Sequence, residues 1–110
     1  MTTHPKTIEV NDATFEHRVL HADTPVLLDF GADWCPPCKV MIPLLEELAV
    51  AYQDKALIAR LDVDSSPATA SRYQVRNLPT LLIVKNGQVV ERIVGAVPKQ
   101  VLAAKLDAHL

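Results

Sequence analysis

The amino-acid sequence predicts one α/β domain, built on a mixed β-sheet with helices on both faces. Apolar runs typical of strands alternate with helical stretches in the order β-α-β-α-β-α-β-β-α. Near the end of the chain, Asn86-Gly87 separates two strand-like runs and favours a two-residue hairpin. The chain has 110 residues, 49% of them hydrophobic and 22% charged, which is typical of a single globular domain. We therefore expect one domain over residues 1–110, with right-handed crossovers between parallel strands and one antiparallel hairpin.

Charge and hydropathy exclude several classes of protein. Eleven Lys and Arg residues against thirteen Asp and Glu residues give a net charge of −2, without the basic excess of a nucleic-acid-binding domain. Residues 1–6 contain no apolar stretch typical of a secretory signal, and no apolar run approaches the ~18 residues of a membrane span. We expect a cytoplasmic protein that binds neither nucleic acid nor membranes. A monomer is expected because the sequence indicates no large apolar surface.

The first half of the chain begins with a short strand and a helix. Residues 7–10 read as the strand, and the Asn11 side chain is suited to accept a free N–H at the start of a helix. The residues predicted to share the buried face of that helix are Phe15, Val19 and Ala22.

A second strand and a long helix follow. The run Val26–Phe30 is apolar except for Asp29, which is typical of a strand buried on both faces. Pro43 should kink the long helix that follows residues 35–38. The residues predicted to line its inner face are Val40, Met41, Leu44, Leu45, Leu48 and Tyr52.

The second half predicts three more strands and two helices. Residues 56–63, 80–84 and 89–94 read as strands because they are rich in Val, Ile and Leu. Ser66-Pro67 is typical of a helix start, and the short helix should reach about residue 73. Pro98 opens the last helix, which is predicted to turn Val101, Leu102 and Leu106 inward.

Cys35 and Cys38 are the two cysteines of the chain, and they stand between a predicted strand and a predicted helix. In a cytosolic protein such a pair is more typical of catalysis or metal binding than of a structural disulfide. Free N–H groups and the helix dipole stabilise a thiolate at a helix start, and the thiolate is the nucleophile of disulfide exchange. The spacing therefore predicts that Cys35 attacks a disulfide and that Cys38, about a turn into the helix, resolves the mixed disulfide.

A zinc site is the alternative interpretation of the cysteines. His17 and His21 are four residues apart on the first predicted helix, and two Cys with two His form a common zinc ligand set. The competing interpretation places both histidines on the solvated face of the helix.

Residues 34–39, Trp-Cys-Pro-Pro-Cys-Lys, together with Asp29-Phe30 just upstream, resemble the active-site region of the thioredoxin family. Further matching motifs are Pro43, Asp62-Val63-Asp64, Tyr73, Leu78-Pro79-Thr80, Lys85-Asn86-Gly87 and Val94-Gly95-Ala96. The resemblance implies the thioredoxin fold and a thiol–disulfide oxidoreductase that reduces protein disulfides. It also implies recycling by an NADPH-dependent thioredoxin reductase. The chain has no dinucleotide fingerprint, so no bound cofactor is expected.

The resemblance further implies roles for individual residues around the cysteines. Cys35 is the nucleophile, Cys38 is the buried resolving thiol, and Asp29 is a buried carboxylate that accepts the Cys38 proton through water. Burial should raise the pKa of Asp29, whereas an Asp29 side chain in solvent would have no such role. Arg60 stands where the family usually has a lysine near this carboxylate. Lys39 either helps to hold the thiolate or is a solvated helix residue.

A substrate surface is implied by the same resemblance. Pro79 matches a cis-proline that faces the disulfide, and Leu78 would offer its backbone to an extended substrate strand. The apolar contact surface around Cys35 would consist of Trp34, Pro36, Leu78, Gly95 and Ala96.

The sequence departs from the family pattern at two places. Gly31 stands where a second tryptophan is often found, and Pro36-Pro37 replaces the commoner Gly-Pro pair. Pro36 has no N–H and a fixed φ, so we expect it to remove a donor to the Cys35 thiolate and to stiffen the loop. We expect a shifted redox potential, in a direction that the sequence leaves open. A specialised oxidant or isomerase and a non-enzymatic binding subunit therefore remain as alternatives.

Overall fold

A five-stranded mixed sheet forms the centre of the computed structural model, which describes residues 7–110. Its order is β1-β3-β2-β4-β5, where the strands are β1 (Ile8–Val10), β2 (Val26–Gly31), β3 (Leu57–Asp62), β4 (Thr80–Lys85) and β5 (Gln88–Val94). β1, β3 and β2 are parallel, and β4 runs antiparallel to both β2 and β5. The predicted mixed α/β fold is confirmed. The segment 1–6, for which we predict no secretory signal, lies outside the described residues.

Helices cover both faces of this sheet. On one face α1 (Pro36–Ala51) and α3 (Lys99–Asp107) pack against a core that includes Leu27 and Leu81. On the other face a π-helix (Glu16–Leu20) and α2 (Pro67–Arg72) contribute to a core that includes Leu28. Side chains alternate between the two faces of a strand, so Asp29 lies on the same face as Leu27, beneath α1.

Three expectations about the helices are wrong. The first helix is a π-helix, in which the His21 N–H bonds to the Glu16 carbonyl at 3.0 Å, rather than an α-helix. Val40 is 65% exposed and Val101 is 37% exposed, although both were expected to face inward. Each valine precedes a buried residue, Met41 or Leu102, and so lies about 100° around the helix from the buried face.

The start of α2 depends on a residue far away in the sequence. Ser66 occupies the predicted N-cap position, but its side chain makes no capping hydrogen bond. The Asp12 carboxylate instead accepts hydrogen bonds from the N–H groups of Ala68 (3.1 Å) and Thr69 (2.8 Å). The Thr69 hydroxyl also donates to Asp12, and these bonds hold the pKa of the Asp12 carboxyl below its ordinary value.

Several local predictions are confirmed. Asn86 and Gly87 adopt φ angles of 54° and 77°, as a tight hairpin turn between β4 and β5 requires. The Asn11 side chain accepts the N–H groups of Ala13 and Thr14, and Pro43 lies inside α1. None of the helices within residues 7–110 combines the length and apolar character that crossing a membrane requires.

Candidate active site

One edge of the sheet collects the loops that carry the predicted site. Gly31 at the end of β2 pairs with Asp62 at the end of β3, and Phe30 pairs with Thr80 at the start of β4. Thr80 pairs in turn with Val94 at the end of β5. The loops next to these residues therefore converge at one edge. Together with the first turn of α1, these loops carry Trp34 to Cys38, Leu78 and Pro79, and Gly95 and Ala96.

A disulfide joins the two cysteines at the start of α1. Cys35 is the N-cap residue, Cys38 lies in the first turn, and their Cα atoms are 5.3 Å apart. The Cys38 N–H donates a hydrogen bond to the Cys35 sulfur at 3.3 Å. Both side chains are almost fully buried, with 5% of Cys35 and 4% of Cys38 exposed. This geometry places the Cys35 sulfur where a helix N-terminus stabilises negative charge.

Two prolines occupy the first two positions of α1, Pro36 at the first and Pro37 at the second. The N–H groups that normally reach an N-cap side chain belong to the second and third helical positions. Pro37, at the second position, has no N–H to donate, so the N–H of Cys38 at the third position is the remaining donor. The expectation that Pro36 removes a donor is wrong, because the missing N–H belongs to residue 37. The effect of Pro36 on loop stiffness stays a prediction.

Asp29 is a buried carboxyl group on the face of the sheet beneath α1. Only 3% of the residue is exposed, and its Oδ1 atom accepts no hydrogen bond from residues 7–110. Desolvation by burial raises the pKa of Asp29 to about 7, although the guanidinium of Arg60, its partner in β3, opposes the rise. The expected burial and raised pKa are confirmed, and the interpretation that places Asp29 in solvent is wrong.

Gly31 brings Asp29 and Cys38 to the same small volume. A Cβ atom built on Gly31 would lie 3.5 Å from the Cys38 sulfur and 3.7 Å from Asp29 Oδ2. The two groups therefore border the same space. Water in this space would contact both groups, which proton transfer between them through water requires.

Hydrogen bonds hold several residues of the predicted substrate surface in place. The Trp34 side chain is 66% exposed, and its Nε1 donates to Asp64 Oδ2 at 2.7 Å, which fixes the ring. The Leu78–Pro79 peptide bond is cis, as expected. The Gly95 N–H donates to the Pro79 carbonyl at 2.8 Å and joins the two loops.

The other members of this surface differ in exposure. Leu78 is half-buried and packs against the two cysteines, whereas Pro36 and Ala96 are exposed. Their contact with a substrate stays a prediction.

Lys39 is exposed, and its side chain makes no hydrogen bond or ion pair with any of residues 7–110. It lines a cavity beside Cys38, so both interpretations of this residue stay open.

The zinc alternative has no geometric support. His17 and His21 are both exposed on the π-helix and the residue that follows it. Within the described part of the chain, no three His, Cys, Asp or Glu residues come together in a way that would hold a metal ion.

Sequence reasoning missed a cavity of about 610 Å³ next to the disulfide. Gly31, Asp29, Cys38, Lys39 and Arg60 are among the residues that line it. The signal for it was Gly31 itself, because a glycine in a strand often marks a close approach. The Asp64 carboxylate that holds Trp34 was likewise not assigned a role from the sequence.

Comparisons with known proteins agree with this geometry. The family model described as Thioredoxin matches residues 6–108. The chain is 48% identical to Thioredoxin 2 of Chlorobaculum tepidum over 105 residues, 96% of each chain. It is also 48% identical over 103 residues to the thioredoxins of Haemophilus influenzae (94% of this chain, 96% of the relative) and Staphylococcus aureus strain Mu50 (94% and 97%). The chain therefore belongs to the thioredoxin family and is a thiol–disulfide oxidoreductase that reduces protein disulfides.

Proposed function

We propose that this oxidoreductase works by dithiol–disulfide exchange in which Cys35 attacks and Cys38 resolves. The observation that carries the assignment is the position of each sulfur on α1. Cys35 is the N-cap residue and its sulfur accepts the N–H of Cys38, whereas Cys38 lies within the first helical turn. A thiolate is favoured at the N-cap, and the thiolate is the attacking species.

The reaction proceeds in two exchange steps. In the reduced protein, the Cys35 thiolate attacks one sulfur of a substrate disulfide, forms a mixed disulfide and releases the first substrate thiolate. The Cys38 thiol then loses its proton and attacks the Cys35 sulfur. The second substrate thiolate leaves, and the Cys35–Cys38 disulfide forms. The substrate gains two electrons, and the two protein thiols lose them.

Asp29 serves as the proton acceptor for Cys38. Its pKa of about 7 means that near neutral pH the carboxyl is present in both protonation states, as general-base catalysis requires. Arg60 is a positioning residue, because its charge limits the rise in the pKa of Asp29 and keeps a useful fraction ionised.

The substrate binds as an extended segment over Leu78, Pro79 and the exposed ring of Trp34. Support comes from the half-buried Leu78 beside the disulfide and from the fixed orientation of Trp34. A short backbone pairing of this kind supplies affinity with little demand on the substrate sequence.

The decisive experiment is insulin reduction. We expect the protein to accelerate reduction by a chemical dithiol, and to work with NADPH and a thioredoxin reductase alone. The matched control is the Cys35→Ser/Cys38→Ser protein, which should give only the background rate. Acceleration that persists in this double variant would favour a non-enzymatic role for the fold. Activity with the chemical dithiol but not with the reductase would contradict the proposed recycling.

The proposal also covers the domain organisation, cellular location, oligomeric state and cofactor use of the protein. Residues 1–110 belong to one domain, and both the five-stranded sheet found within residues 7–110 and the family match over residues 6–108 support this. The protein acts as a cytoplasmic monomer that carries no bound cofactor and uses NADPH only through its reductase. Its similarity to bacterial thioredoxins supports this placement.

A specialised oxidant or isomerase is the second candidate, and Pro36-Pro37 is the feature that favours it. Pro36→Gly should shift the equilibrium of the active-site disulfide with glutathione, because glycine restores backbone freedom beside Cys35. A tenfold change in that equilibrium constant corresponds to about 30 mV. Pro67→Ala is the matched control, since Pro67 also opens a helix but lies on α2. If Pro36→Gly and the wild type have the same equilibrium constant with glutathione, the proline pair does not tune the redox potential.

A further inference from the structure

The backbone conformation at Gly31 does not require a glycine. It ends β2 without the positive φ that Gly87 and Gly95 adopt. A Cβ atom at this position would make contacts no closer than 3.4 Å, to the Cβ of Cys38, so an alanine would fit. Glycine in a strand weakens it, and such glycines often mark a site where a ligand approaches. What the glycine provides here is open space over Cys38.

The cavity beside Gly31 reaches only one of the two sulfur-bearing residues. Cys38 lines its volume of about 610 Å³, and Cys35 does not. Trp34, Leu78 and Pro79 of the predicted substrate surface are likewise not among the residues that line it. Its volume falls within the range of small-molecule sites. The buried Asp29 also lines it, and Asp29 Oδ1 has no hydrogen-bond donor among residues 7–110.

The charges around the cavity define which small molecules fit. The charged residues that line it, in addition to Asp29, are Glu9, Asp33 and Asp62, which are acidic, and Lys39 and Arg60, which are basic. Carboxyl groups outnumber cations, so a positively charged ligand is favoured over an anionic one. An ammonium group would also supply the donor that Asp29 Oδ1 lacks, whereas the Nε of Arg60, which lacks an acceptor among residues 7–110, would need a second group such as water.

We propose that this cavity is a second access route to the active-site disulfide, through which small aminothiols and their disulfides exchange directly with the Cys38 sulfur. The proposal rests on the redox role of the cysteine pair and adds a class of small substrates to protein disulfides. It names Gly31 as the residue that keeps the route open.

The exchange balances without a further reactant. An aminothiol thiolate attacks the Cys38 sulfur, the Cys35–Cys38 bond breaks, and Cys35 leaves as a thiolate beside the N–H of Cys38. Cys35 is the favoured leaving group because a stabilised thiolate leaves faster. A second aminothiol attacks the sulfur of the bound one, and Cys38 leaves with its electron pair. The products are the reduced protein and the disulfide formed from the two aminothiol molecules. Together these two molecules supply the two electrons.

Single-cysteine proteins test the route in the reverse direction. Cystamine, the small disulfide of an aminothiol, reacts with the free thiol of the Cys35→Ser protein, and mass spectrometry follows the adduct on Cys38. The Gly31→Leu substitution should slow this reaction about tenfold by closing access to the sulfur. The control is the Cys38→Ser protein, in which Gly31→Leu should change the rate at Cys35 by less than about twofold. Equal slowing at both cysteines, or none at Cys38, would overturn the proposal.

Two further measurements complete the test. If Gly31→Leu does not fold by circular dichroism, Gly31→Ala replaces it, and a smaller slowing in the same direction is expected. At each cysteine, the rate of reaction with cystamine is divided by the rate with the anionic disulfide dithiodiglycolate. This rate ratio should be about threefold larger at Cys38 than at Cys35. A ratio equal at both cysteines would contradict the charge preference. These rates do not depend on insulin reduction, so failure of this proposal and failure of the proposed protein-disulfide mechanism give different results.

Discussion

Replacing Asp29 with asparagine should raise the free energy of unfolding at pH 8 by up to about 4 kcal/mol, given a folded pKa of about 7 against the ordinary pKa of 3.8 for an aspartate side chain. The raised pKa means that the folded state binds the proton more tightly than the unfolded state. Stability is therefore greatest below the unfolded pKa and is lost as the pH rises from about 4 through about 7. Asparagine has no charge to desolvate, so the variant avoids this loss.

Urea unfolding of the oxidised proteins between pH 4 and pH 9 measures the effect. The wild type should lose stability relative to Asp29→Asn across this range, and the difference should level off above about pH 8. Asp23→Asn is the matched control, because Asp23 is exposed. Parallel curves for wild type and Asp29→Asn would contradict a buried carboxyl that resists ionisation.

The same Asp29 variant tests the role of the carboxyl in catalysis. The rate at which Cys38 resolves a mixed disulfide should be lowered most between about pH 6 and 8, where the wild-type carboxyl becomes an effective base. A purely structural role would leave the shape of the pH profile unchanged. A resolution rate equal to that of the wild type at every pH would remove Asp29 from the mechanism.

The Cys35→Ser substitution should reduce insulin reduction to the background rate of the chemical dithiol, because it removes the attacking sulfur. Cys38→Ser should have a different effect. It keeps the nucleophile at the N-cap of α1 and loses only the group that resolves the mixed disulfide. The Cys38→Ser protein should therefore accumulate covalently linked to its substrate, which a non-reducing gel detects.

Mass spectrometry of the trapped complex identifies the linked residue. The link should run through Cys35, and in the reduced wild type Cys35 should be alkylated by a bulky maleimide before Cys38. A bulky reagent is the appropriate probe because the cavity admits only small molecules. A Cys35 thiol that stays inert to alkylation at neutral pH while Cys38 reacts would refute the assignment of the nucleophile.

Local features of the fold and site were predictable because each depends on a few neighbouring residues. The turn at Asn86-Gly87 follows from the backbone freedom of these two residue types. The position of Cys35 at the start of α1 follows from the strand before it and the helical pattern after it. The errors at Val40 and Val101 arose because a helical pattern of apolar residues marks a broad face, and only packing decides its margins.

The sequence by itself determined the order of the elements, the mixed sheet and the identity of the reacting pair of sulfur atoms. The resemblance to the thioredoxin family already implied a buried Asp29 near Arg60. Only the tertiary structure decided that Asp64 holds Trp34, that Asp12 caps α2, and that a cavity opens at Gly31 on Cys38. The physical reason is that each of these features depends on residues distant in the chain. Capping by a distant residue and empty volume are properties of the space between packed elements, and a local signal such as the glycine at position 31 does not by itself fix them.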